Sequence, residues 1–253
     1  MPTLNTARGA LYVADYRRPV TGAAPMLMLH GAGGSHLDIP PALRRAAALQ
    51  PLAPDLNGHG RSPGDGHIRL EDHAADMLAL LDALKQPAAF VLGHSMGGAV
   101  ALLMALAAPE RIAGLVIIGS APRLPVSPRI IQGFQEDPSA AIAMIAAWMW
   151  PKGTPDAALA QTREHMASIR PQVTISDFLA CNAYDISQQA GALTMPCLIV
   201  HGTHDRMVPI AEARSLAQTM PNAALAEYPE GGHMIHFEQA EAVRDAVIAW
   251  RGA

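Results

Sequence analysis

Three side chains far apart in the 253-residue sequence have the types and order needed for acyl-transfer chemistry. Ser95 lies in "GHSMG" (93–97), Asp205 in "LIVHGTHDRMVP" (198–209) and His233 in "YPEGGHMIHFE" (228–238). A serine hydroxyl is a weak nucleophile that needs a neighbouring base, and the base needs an orienting acid. The stretch 93–97 fits G-x-S-x-G, follows an apolar run and opens a helix-like run, which is the context of a nucleophile turn. In so sharp a turn, side chains at 93 and 97 would strike neighbouring backbone, and Ser95 is expected in a strained conformation. The turn would also set Ser95 at a helix N-terminus, where free amides and the helix dipole favour negative charge. The plainer alternative is a glycine-rich turn with an incidental serine.

Each partner has a rival reading. Asp205 could instead cap the helix expected from about Pro209, but the preceding strand end, "IIGSAP", offers no other acid. His236 competes with His233 as the base. Gly231 and Gly232 favour His233, because a flexible turn is needed to aim its ring. A developing oxyanion requires two donors. These are expected from the backbone N–H of Met96 and that of Ala32 in "HGAGGS" (30–35), with Gly33 next. That loop half matches a dinucleotide fingerprint, but His36 stands where the last glycine belongs. His201 and His204 with Asp205 lack a third ligand nearby at metal spacing, so no metal is expected. Of the other histidines, His30 is expected to brace the 30–35 loop, and His59 to bond to backbone in its own loop.

The elements that must hold these residues alternate. Apolar runs at 25–31, 88–93, 112–120 and 195–202 read as buried strands, with a weaker one in 49–60 that ends in a glycine-punctuated loop, a short one at 223–229 and an edge strand at 11–17. Helical periods fall at 70–84, 97–108, 210–220 and 239–250. This alternation predicts an α/β fold with a mostly parallel twisted sheet and helices on both faces. Ligands of such sheets bind beyond the carboxyl ends of the strands. Residues 121–187 break the rhythm: a proline-rich stretch, then helical segments with no convincing strand. We read 1–120 and 188–253 as the core and 121–187 as a helical insertion. Its run "IAMIAAWMW" (142–150) is apolar on every side. Packing accounts for that, and some of its side chains could also line an acyl pocket. Pocket candidates are Gly31, Gly33, His94, Phe134, Met144, Trp148, Met207 and Met234.

Composition excludes several partners. Lys and Arg number 18 against 22 Asp and Glu, a net charge of −4, with no basic run to suit nucleic acid or an anionic membrane surface. No apolar run is long enough to span a bilayer. The first 20 residues lack the pattern of a signal peptide, and the two cysteines, Cys181 and Cys197, make no disulfide framework. A cytoplasmic monomer or small homo-oligomer acting on a small molecule is expected.

Taken in order, "HGAGGS", "PDLNGHGRS" (54–62), "GHSMGG" (93–98), "HGTHDRMVP" (201–209) and "GGHMIHFE" (231–238) resemble the α/β-hydrolase superfamily over nearly the whole chain. The resemblance implies an eight-stranded, mostly parallel sheet, a helical cap after the sixth strand, a Ser-Asp-His triad and no cofactor. A serine at the nucleophile position is unlike the haloalkane dehalogenase and epoxide hydrolase branches. The chain is most similar to small capped carboxylesterases acting on esters of small or medium apolar acyl groups. Lactonases, C–C bond hydrolases and non-hydrolytic ligand-binding members remain alternatives. For a C–C hydrolase, Arg123, Arg129 and Arg163 are candidate carboxylate partners.

Overall fold

A computed structural model describes residues 3–18 and 24–252. The outer bounds of the expected core, 1 and 253, and part of the N-terminal stretch read for a leader therefore lie outside the described residues. Eight strands form one open sheet: β1 (Thr3–Thr6), β2 (Gly9–Asp15), β3 (Met26–Leu29), β4 (Pro51–Pro54), β5 (Ala89–His94), β6 (Ile112–Ile118), β7 (Cys197–Gly202) and β8 (Ala223–Tyr228). Their order is β1-β2-β4-β3-β5-β6-β7-β8. The β1–β2 and β2–β4 pairs are antiparallel and the rest are parallel. One expectation needs correction: the strand near 11–17 is not the edge. β1 pairs outside it, a four-residue polar strand whose side chains are half-buried or exposed and so carry no hydrophobic signal.

Successive strand side chains point to opposite faces, and the central strands are apolar on both. Leu27 and Leu29 of β3, Leu115 and Ile117 of β6 and Ile199 of β7 join one buried cluster. Met26, Met28, Val116, Ile118 and Val200 join another on the opposite face. The first cluster is covered by α2 (Leu70–Ala83), α3 (Met96–Ala107) and α8 (Ile210–Thr219). The second is covered by α1 (Pro41–Arg44), α9 (Ile235–Glu238) and α10 (Ala240–Arg251). On α2 the predicted apolar stripe is the buried one: Leu70, Ala74, Met77, Leu80 and Leu81 face the sheet.

Between β6 and β7 lie α4 (Pro128–Glu136), α5 (Pro138–Met149), α6 (Asp156–Ala167) and α7 (Pro171–Ala183). They carry their own apolar cluster, centred on Ile130, Phe134, Ile142, Ile145 and Phe178. The two ends of the segment are tied together: Arg123 forms a β-bridge with Asp185, and Ile186 N–H donates to Pro122 O at 2.8 Å.

Ile117 is fully buried in the sheet centre. Truncating it leaves a cavity that a close-packed core cannot collapse around. Ile117→Ala should therefore lower unfolding free energy by about 2–5 kcal/mol, read from urea denaturation.

Candidate active site

Four loops at the carboxyl ends of β3, β5, β7 and β8 converge. Ser95 sits between β5 and α3 with φ 53° and ψ −119°, a left-handed conformation that a side chain rarely adopts. The glycines around it are required by space. A Cβ at Gly93 would lie 2.1 Å from Gly97 O, and one at Gly97 would lie 2.5 Å from Leu29 O. The Ser95 amide is held by Ile118 O of β6 at 2.9 Å, so the turn is anchored to the neighbouring strand.

Asp205 follows β7 and is buried. Its Oδ1 accepts the amides of Met207 and Val208 at 2.8 and 2.9 Å, and its Oδ2 accepts His233 Nδ1–H at 2.8 Å. It does not cap α8, whose N-cap is Pro209 without a side-chain bond. Burial opposes its charge, but His233 and these amides outweigh that and hold the carboxyl below its ordinary value. His233 is buried and lines one cavity together with Ser95, Gly31, Ala32, His94 and Met234. His236, the rival base, points elsewhere. Its Nε2–H donates to Asp38 O at 3.1 Å, and burial pushes it down to about 4.

The 30–38 loop is built around His30. Leu56 N–H donates to His30 Nε2 at 3.0 Å, leaving Nδ1–H to donate to Gly31 O at 2.8 Å. The ring is thus neutral, and burial moves it down to about 4. Neither the Ala32 nor the Met96 amide donates to a protein acceptor among the described residues. Ala32 lines the same cavity as Ser95, and Met96 follows Ser95 as the first residue of α3.

Ser95 and Ala32 also border a second cleft of about 220 Å³, walled by Val126, Trp148, Phe178 and Met207. Arg123, Arg206 and Glu212 stand at it, with Arg123 paired to Glu212 at 2.9 Å. The structure therefore brings Gly31, Gly33, His94, Trp148, Met207 and Met234 to the cavities beside Ser95. Phe134 and Met144 line neither. The amphipathic α4 turns Phe134 inward onto Phe178, and Met144 packs on the same cluster. Of the arginines weighed as carboxylate partners, Arg129 and Arg163 also line neither.

Several site groups were invisible to sequence reasoning. Asp177 of α7 is completely buried and receives both Gly33 N–H and His59 Nε2–H at 2.8 Å. His59 also donates from Nδ1 to Asn57 O at 3.0 Å. With Asp177 ionised, both of its partners are acceptors, an arrangement that favours the imidazolium. Burial opposes that charge, but Asp177 prevails and raises His59 above its ordinary value. His165 of α6 lies 3.3 Å from Asp38 Oδ2 and 3.1 Å from Ser35 Oγ. Met149 O, at the end of α5, accepts the amides of His233 and Met234. No local pattern marks these residues, because each acts on a loop over a hundred positions away or through its backbone carbonyl.

One group among the described residues has metal-ligand spacing: His67, His73 and Asp76. Asp76 is already shared between His67 Nε2 at 2.8 Å and Arg8 Nε at 2.7 Å, so a cation would compete with a guanidinium. The group lines neither cavity beside Ser95.

The chain belongs to a family of α/β hydrolases described as serine aminopeptidase, S33, whose model matches residues 24–240. It is a hydrolase of that fold. A 2-hydroxymuconate semialdehyde hydrolase of Pseudomonas putida is 31% identical over 86% of this chain and 83% of its own. An esterase from Exiguobacterium antarcticum superposes at TM-score 0.91 with 20% identity over the whole of both chains. An enol-lactonase from Burkholderia xenovorans does so at 0.91 with 23%. No helix of the described residues is long and apolar enough to cross a membrane.

Buried neutral histidines make the fold acid-sensitive. His73 has neither ring nitrogen bonded, and burial takes it down to about 3. Its folded value lies below its unfolded one of about 6.5. The unfolded chain therefore binds the extra proton, and stability present above that value is lost as pH falls toward the folded one. His73→Leu should make the fall in urea midpoint between about pH 6.5 and pH 4 shallower, without lowering the midpoint near neutrality.

Proposed function

We propose that the chain hydrolyses carboxylic esters of small or medium apolar acyl groups through an acyl-enzyme on Ser95. The observation that carries this reading is one cavity holding a strained, glycine-enclosed Ser95 beside His233, whose other ring nitrogen is 2.8 Å from buried Asp205. His233 Nε2 takes the Ser95 proton as Oγ attacks the ester carbonyl. The Ala32 and Met96 amides receive the oxyanion. The tetrahedral intermediate collapses, the C–O bond to the alcohol breaks, and the imidazolium protonates the leaving alcohol. Water, deprotonated by the same base, then attacks the acyl-enzyme. The acid departs and Ser95 recovers its proton. Asp205 holds the ring in the Nδ1–H tautomer and stabilises its transient charge. The helices at 121–187 act as a cap, and the cleft walled by Trp148, Phe178 and Met207 takes the apolar acyl chain.

C–C bond hydrolysis on the same residues is the second reading. It is favoured by the 31% identical relative, named as a hydrolase of a semialdehyde, and by Arg206 at the cleft. A panel of p-nitrophenyl esters, lactones and vinylogous diketo acids separates the two by the ranking of kcat/KM.

Ser95→Ala should lower ester kcat by about three or more orders of magnitude while the fold, read by circular dichroism, stays native. A fluorophosphonate probe should label the native chain and not this variant. Turnover of a short ester by Ser95→Ala would overturn the assignment, and an unlabelled native chain would point to a ligand-binding protein.

A further inference from the structure

At Gly33 the 31–35 loop packs directly against the inserted helices. Gly33, at φ +64°, has Thr174 and Met166 packed so tightly above it that a Cβ would stand 3.0 Å from one and 3.2 Å from the other. Its amide, in the peptide plane next to the one carrying Ala32 N–H, donates to Asp177 Oδ2 at 2.8 Å. The following amide, Gly34 N–H, turns back onto Gly31 O at 3.2 Å. Two consecutive planes after Ala32 are thus fixed, one by an inserted helix and one by the loop itself. Asp177 is in turn held by His59, itself bonded to Asn57 O. A carboxylate with no exposed surface and only one oxygen in use is costly to bury. An apolar residue would pack there at less cost, but it could not hold a backbone amide.

We propose that Asp177 is a positioning residue which, braced by His59, fixes the loop presenting the Ala32 amide, so that the helical insertion sets the oxyanion site. This rests on the acyl-transfer reading of Ser95. Asp177 touches no reacting atom. It acts through one peptide plane, and a donor displaced by about 1 Å loses a large part of its effect on a charge that exists only in the transition state. The insertion and the reaction are therefore coupled: a movement of α7 away from the core would release the Gly33 amide and loosen the loop that presents Ala32.

The test compares Asp177→Asn, which keeps an oxygen for Gly33 N–H, with Asp177→Ala, which does not. Ester kcat should fall about 5-fold in the first and about 100-fold in the second, with KM within about 2-fold of native in both. A trifluoromethyl ketone, whose Ser95 adduct carries the same oxyanion, should lose affinity by the same factors. Hydrogen–deuterium exchange of a peptide covering 31–35 should quicken in the same order. Native kcat and native exchange in both folded variants would overturn the proposal. So would a rise in KM with no loss of ketone affinity, which marks damage to the cleft wall. If Asp177→Ala does not fold, the Asn variant decides on the same readings. If the native chain shows no Ser95-dependent turnover, the acyl-transfer reading fails, and exchange still reports the clamp: quickened in Asp177→Asn it stands, unchanged it falls.

Discussion

At residues 93 and 97 there is no space for a side chain, and the rest of the site follows from that. The carbonyl of Gly97 and the backbone of β3 stand where those Cβ atoms would be. The chain can therefore turn from β5 into α3 in a single residue, with the backbone strain concentrated at Ser95. A sheet whose strands are apolar on both faces supplies the rigidity to hold that strain. The Ser95 amide is locked to β6, and α3 is buried along most of its length. With Ser95 fixed at the sheet's carboxyl edge, the loops after β3, β7 and β8 supply the remaining groups.

Those loops are stabilised by buried polar contacts, and their electrostatics divide by role. Histidines with one acceptor and one donor as neighbours, such as His30, stay neutral and act as rigid spacers. His59 bonds Asn57 O and Asp177, and Asp177 raises it above its ordinary value. His94 sits under the reactive loop. Its Nε2–H donates to His233 O at 3.0 Å, and its ring packs on both His233 and His236. Burial, together with these two neighbouring rings, drives it well below its ordinary value, so it adds no charge beside His233. Asp205, held below its ordinary value, accepts the Nδ1–H of His233, and under the proposed reaction that suits a base which must accept and return one proton.

The inserted helices do more than cover the sheet. Met149 O carries the His233 loop, Asp177 carries the Gly33 amide, and His165 reaches Asp38 and Ser35. All three join residues remote in sequence. The insertion contributes no group with the reactive pattern of Ser95, Asp205 or His233, yet it restrains two of the loops around them.

Much of this was legible in the sequence. The strands β3, β5, β6 and β7 are short apolar runs ended by glycine or a polar residue. The buried stripe of α2 follows the 3.6-residue period, and the elbow glycines announce a turn that other residues could not make. β1 was illegible because a four-residue polar edge strand has no periodicity to detect. Phe134 and Met144 misled because an apolar side chain in an amphipathic or all-apolar helix gives no sign of which neighbour it faces.

The sequence by itself determined the alternation of strand and helix and offered, in order, Ser95, Asp205 and a choice between His233 and His236. These depend on local sterics and on hydrophobic periodicity, which are properties of short stretches. Only the tertiary structure decided that His233 rather than His236 meets Asp205, that His59 meets Asp177, and that a carboxylate on an inserted helix grips the loop beside Ala32. Those outcomes depend on which buried groups lie within about 3 Å of each other, and hydrogen bonds of that kind join positions with no relation along the chain.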